Sequence, residues 1–191
     1  MSSTAATLPA RPSRRRISRG SVAALVLLAV VSAALGLLAG RSGNGSQPHA
    51  HARAWIYRSG DHSFSISYPT GWKAASAGAG AAVIERADHR GVVLVRERPA
   101  LRGSLSSLVK GLPRELAKRF PDFRPVGASA VRLSTGPAVV YTFVRTKARK
   151  VQSIVIAPTA KRSFTLEVVA PATAHDAARQ AGRIVRSLTT L

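Results

Sequence analysis

The residues that could do chemistry are few and scattered. Histidine occurs as the pair His49-Ala-His51 and as His62, His89 and His175, each standing apart. In a strand, His49 and His51 would point to one face and could share a metal ion. No third ligand stands near them, so a solvated pair is the simpler reading, and no metal or cofactor is expected. The absence of cysteine also removes disulfides, thiolate metal sites, a catalytic cysteine and a lipidated-cysteine anchor.

Serine chemistry fares no better. Gly127-Ala-Ser129-Ala-Val131 stops short of a Gly-x-Ser-x-Gly elbow, because Val131 holds the second glycine's place. Gly78-Ala-Gly80 lacks the Lys-Ser/Thr of a phosphate-binding loop and reads as a flexible connection. The acids are Asp61, Glu85, Asp88, Glu97, Glu115, Asp122, Glu167 and Asp176. A glycosidase needs two carboxylates facing one cleft, and no spacing points to such a pair. Glu85 and Asp88 lie among Arg86 and Arg90 and read as surface pairing. No catalytic residue is assigned and no enzyme is expected.

What remains is charge. Arg145-Thr-Lys147-Ala-Arg149-Lys150 reads as a basic hairpin tip, with Lys161 and Arg162 on the next turn. If neighbouring hairpin ends cluster, Arg145, Lys147, Arg149, Lys150, Lys161 and Arg162 form one positive edge. Anionic lipid headgroups or acidic envelope polymers would suit it. The plainer role is to solubilise the sheet and protect its edge. The whole chain carries +21, from 29 Lys and Arg against 8 Asp and Glu. Such a charge draws a protein towards anionic surfaces without defining a specific partner.

The elements that would position these residues fall into four stretches. Ser21 to Gly40 is apolar, with no charge and no proline. At about 1.5 Å per residue it spans about 30 Å as a helix, the hydrocarbon thickness of a bilayer. Arg11, Arg14, Arg15, Arg16 and Arg19 precede it, and basic residues beside a span stay cytoplasmic. The other 24 Lys and Arg and all 8 acids follow it, so that part carries +16. Ser13-Arg14-Arg15-Arg16-Ile17 is similar to a twin-arginine export signal, but Ser18 sits where that signal has an apolar residue. The apolar run is longer than a signal-peptide core, and Ala50-His51-Ala52 lies far beyond it. The expected layout is a disordered cytoplasmic tail (1–20), an uncleaved transmembrane helix (21–40), a linker (41–54) and an exported domain (55–191).

Within residues 55–191 the pattern alternates. Phe64, Ile66 and Tyr68 share one face of a strand that ends at Pro69-Thr-Gly71, with Trp72 following. Trp55–Tyr57, 82–86 and 92–96 also read as strands, and 74–80 as a small-residue loop. Leu105, Leu108, Val109, Leu112, Leu116 and Phe120 recur at helical spacing, in a helix from Ser104 to Arg119 that Pro113 should kink or split. Four strands follow, at 126–133, 138–145, 151–157 and 163–169. Thr173 is expected to cap a last helix, with Asp176 as the capping-box acid. Its buried stripe is Ala174, Ala177, Ala178, Ala181, Ile184, Val185 and Leu188. Grouped strands with helices packed on them give the α+β class.

Phe64-Ser-Ile-Ser-Tyr68-Pro69-Thr-Gly71-Trp72 resembles the opening strand and Tyr-Pro-x-Gly-Trp of PsbP/Mog1-like domains. The order of elements over 55–191, ending at Ile184-Val-Arg-Ser187-Leu188, is similar too. The resemblance implies an antiparallel sheet sandwiched between helices, in an anchored bacterial member of a mostly non-enzymatic family. It also implies assembly, scaffolding or binding, and no functional residue carries over. The leading expectation is therefore a membrane-anchored extracytoplasmic binding or scaffolding domain with an unknown protein partner. A nucleic-acid-binding protein is disfavoured by the scarcity of aromatics near the basic stretches. An exported hydrolase is disfavoured by the missing catalytic motifs.

Overall fold

Phe64, Ile66 and Tyr68 do share one face, and that face builds the core. Phe64 and Ile66 are fully buried, and Tyr68 packs against the same cluster. The computed structural model describes residues 54–191. The predicted tail, transmembrane helix and linker lie outside the described residues, as do His49 and His51. Among the described residues, no helix is long and apolar enough to cross a membrane.

Ten strands and two helices follow in order. They are β1 (Ala54–Arg58), β2 (Phe64–Pro69), β3 (Trp72–Ser76), β4 (Ala81–Arg86), β5 (Val92–Pro99) and α1 (Leu105–Arg119). Then come β6 (Phe123–Leu133), β7 (Gly136–Arg145), β8 (Lys150–Pro158), β9 (Arg162–Pro171), α2 (His175–Arg186) and β10 (Thr189–Thr190). A seven-stranded sheet has the order β3-β4-β5-β9-β8-β7-β6, and a three-stranded sheet the order β1-β2-β10. Every pairing is antiparallel.

The two faces of the large sheet carry different partners. Side chains alternate along a strand, so Val140 and Tyr141 on β7 point to opposite sides. Val140 joins Val93, Val95, Leu166 and Ile84 in the main core, which β2 and α2 close with Phe64, Ile66, Ile184 and Val185. Tyr141 joins Phe123, Phe143 and Leu116, which α1 covers with Val109 and Leu112. The sheet is thus sandwiched between helices, as an α+β fold. The stripe foreseen on α2 is buried except for half-buried Ala178, whereas α1 buries only Leu116 completely.

Three local expectations are corrected. Residues 74–76, expected to open the loop 74–80, belong instead to β3: Trp72 is buried, and the strand pairs with β4 from Trp72↔Arg86 to Ser76↔Ala82. Of the two outcomes expected at Pro113, a kink or a split, the split does not occur: helix α1 continues through it, capped at Ser104, whose hydroxyl accepts the Ser107 N–H at 3.1 Å. Thr173 does not cap α2: the cap position is Ala174, with no side-chain cap bond. Asp176 instead receives Arg86 Nη1 at 2.5 Å, tying α2 to β4.

Candidate functional site

The six basic residues foreseen as one edge are divided by the fold. Strand β8 has a turn at each end: 146–149 joins it to β7, and 159–161 joins it to β9. Lys150 opens the strand and Pro158 closes it. At about 3.3 Å per residue, the two turns lie about 26 Å apart. Arg145, Lys147, Arg149 and Lys150 therefore stand at one end of the sheet, and Lys161 and Arg162 at the other. A single continuous patch is not formed.

Asp122 organises the first end. It is 6% exposed and sits just after α1, where the chain enters β6. Arg145 Nε donates to its Oδ1. Its Oδ2 accepts the backbone N–H groups of Lys147 at 3.0 Å and Ala148 at 3.3 Å. Burial pushes this carboxyl up, but the Arg145 bond, the Ala148 N–H and the Arg145 charge outweigh it and hold it below the usual range. Arg145 also lies over the Phe120 ring, its Cζ 4.2 Å from the centroid. Arg145 is thereby committed to structure. Lys147, Arg149 and Lys150 are exposed and make no ion pair or side-chain hydrogen bond among the described residues.

The chain beside this turn shapes a cleft of about 540 Å³ between it and the β9–α2 connection. Arg149 holds a left-handed backbone, φ 52°. Its carbonyl accepts the Ala172 N–H at 2.9 Å and so fastens the two walls together.

The opposite end carries charges of both signs. Arg162 Nη1 donates to Glu97 Oε1 at 3.1 Å, and Glu97 Oε2 is buried without a partner. Asp61 lies near: a Cβ placed on Gly80 would come within 3.2 Å of Glu97 Oε2 and 3.4 Å of Asp61 Oδ2. Hydrogen bonds from the Ser59 and Ser63 side chains and the Ser63 N–H lower the Asp61 carboxyl. These acids, with Lys161, Arg162 and Arg98, line an open cleft of about 460 Å³. Sequence spacing gave no sign of this carboxylate pair, since the residues come from different hairpins.

The remaining candidates stay apart. Among the described residues no three His, Cys, Asp or Glu gather to hold a metal. His89 Nδ1 meets Glu85 Oε1 at 2.7 Å on an exposed turn. Asp88 pairs with Arg86 Nε at 3.2 Å. Ser129 lies on β6, its hydroxyl buried without a hydrogen-bond partner. Gly78 and Gly80 form the β3–β4 turn with φ 114° and 61°, a backbone that glycine adopts freely.

No family model and no curated protein matches the sequence. Solved structures do. The solution structure of CyanoP, the cyanobacterial PsbP of Synechocystis sp. PCC 6803, aligns with a TM-score of 0.55 at 12% identity, over 80% of this chain and 100% of CyanoP. LpqN of Mycobacterium tuberculosis, involved in cell envelope biogenesis, aligns with a TM-score of 0.48 at 16% identity, over 78% of this chain and 99% of LpqN. At such identity the first of these likenesses speaks for the fold alone. The described residues have the PsbP/Mog1-like α+β fold.

Proposed function

We propose that the chain is a single-pass membrane protein whose folded part is an extracytoplasmic binding or scaffolding domain without a catalytic role. The observation that supports this best is the order of its parts. A basic tail and an uncharged apolar run, Ser21 to Gly40, precede a separately folded unit whose first strand starts at Ala54. Strand β1 is an edge of the small sheet, so the chain reaches that unit from its periphery. Exposed Trp55 and Ile56 stand on this strand, where the expected linker enters the folded unit.

The test is topological. A tag is placed after Leu191, and protease is added to intact spheroplasts. Loss of the tag is expected. Protection until lysis, with the protein still membrane-bound, overturns the orientation. It also makes nucleic acid the leading partner for the unpaired charges of Lys147, Arg149 and Lys150.

A further inference from the structure

The cleft beside the β7–β8 turn differs from its counterpart at the other end of the sheet in one decisive way. No carboxylate lines it. Asp122, which reaches the turn, is spent on Arg145 and on two of the turn's backbone N–H groups. Asp176, at the start of α2, is spent on Arg86. Arg149 and Lys150 therefore face the cleft as adjacent, uncompensated positive charges.

The rest of the lining is apolar. Val144, Ala148, Pro171 and Ala172 supply most of it, and the hydroxyl residues Thr146 and Thr173 complete it. The volume, about 540 Å³, falls in the range of about 300–1,000 Å³ typical of small-molecule sites. The backbone bond from Ala172 to Arg149 holds the walls together, so the space exists before any ligand arrives.

An apolar space with two free cations at its side fits one ligand chemistry. We propose that this cleft binds an amphiphilic anion: an apolar body with a single phosphate or carboxylate head. Arg149 and Lys150 hold the head, and the body lies against Val144, Ala148, Pro171 and Ala172. A purely polar anion would leave the apolar lining unused, and a neutral amphiphile would leave the two cations unpaired.

The test uses the full chain in phosphatidylcholine nanodiscs, titrated calorimetrically with hexyl phosphate, inorganic phosphate and hexyl glucoside. Hexyl phosphate is expected to saturate, with an affinity at least about tenfold above inorganic phosphate, the factor that about two buried methylenes supply. Hexyl glucoside is expected not to bind. Arg149→Asn, chosen because asparagine tolerates the left-handed backbone, and Lys150→Gln should each weaken hexyl phosphate. Lys147→Gln, on the same turn but outside the lining, should leave it unchanged. Ala172→Phe should block binding by filling the cleft, and the charge variants carry the test if that variant fails to fold.

Equal affinity for the two phosphates, or an equal loss in Lys147→Gln and Arg149→Asn, would mean diffuse attraction and overturn the proposal. Discs containing phosphatidylglycerol identify the source. Weaker hexyl phosphate binding in them points to a lipid headgroup, and unchanged binding to a water-soluble anion. Both support the site.

Discussion

Trp72 Nε1 donates to Gln180 Oε1 across 2.6 Å. The bond joins the first residue of β3 to the middle of α2, and the indole is otherwise buried, 4% exposed. A buried indole gains most when its one polar atom has a partner, and here it does.

Replacing Trp72 with Ala removes both the ring and the bond. The expected loss is about 3–5 kcal/mol, as for other buried large aromatics, read as a fall in the denaturant midpoint. Trp72→Phe keeps most of the burial and should cost less. A midpoint unchanged in Trp72→Ala would contradict the packing described.

Gly91 is close-packed against the same ring. A Cβ there would lie 2.8 Å from Trp72 Cη2 and 3.3 Å from the Ala177 Cβ. Gly91→Ala should therefore destabilise by about 1–3 kcal/mol through overpacking. In a Trp72→Ala background the added methyl meets space, so the two changes should be non-additive. Strict additivity of the midpoints would refute that explanation.

Asp122 predicts a pH dependence. Its folded value lies below the ordinary aspartate value of 3.8, so the folded state binds its proton less readily than the unfolded chain does. The stabilisation is complete above the unfolded value and drains away as pH falls through the folded one. Asp61 and Asp176 are lowered as well, so acid should weaken the wild type through all three. Asp122→Asn should lower stability at neutral pH and flatten part of the decline below pH 3.8. Parallel wild-type and mutant curves across that window would show that Asp122 does not contribute to it.

Helix α1 offers two changes of opposite sign. Ser104→Ala removes the cap on Ser107 N–H and should cost about 1 kcal/mol. Pro113 stands inside the helix, where proline is disfavoured by about 3 kcal/mol relative to alanine. Pro113→Ala should raise the unfolding midpoint. A lowered midpoint would show that the ring contributes more through packing or unfolded-state stiffness than it costs the helix.

Much of the architecture was legible because periodicity records burial. The alternation at Phe64, Ile66 and Tyr68 and the helical repeat of Val109, Leu112 and Leu116 each mark a face pressed on the sheet. Strand β3 was hidden because Trp72-Lys-Ala-Ala-Ser76 has only one large apolar residue, and its pairing with β4 supplies the order its side chains do not. Strand β10 has two threonines and no pattern at all. Thr173 suited a cap by type, but the turn bond from Ala174 N–H to the Pro171 carbonyl puts Ala174 at that position.

The site was less legible, for geometric reasons. Two successive hairpin turns share one strand, and an extended strand keeps them at its two ends. The basic residues of 145–150 and 161–162 could not meet along β8. Asp122 was one acid among several in sequence. Its importance comes from Arg145, 23 positions later, reaching back to it across the β6–β7 pair.

The three-stranded sheet has a consequence for how the chain matures. Ser65 pairs with Thr189 and Phe64 with Thr190, and the Leu191 N–H reaches the Ser63 carbonyl at 3.2 Å. The first hairpin thus waits for residues made more than a hundred positions later. Contacts this distant in sequence form slowly, because the long loop between them must be closed first. Until α2 and β10 have been made, β2 has an open edge and Phe64 and Ile66 lack the α2 side chains that seal them. Closure of the small sheet therefore has to wait until β10 has been made.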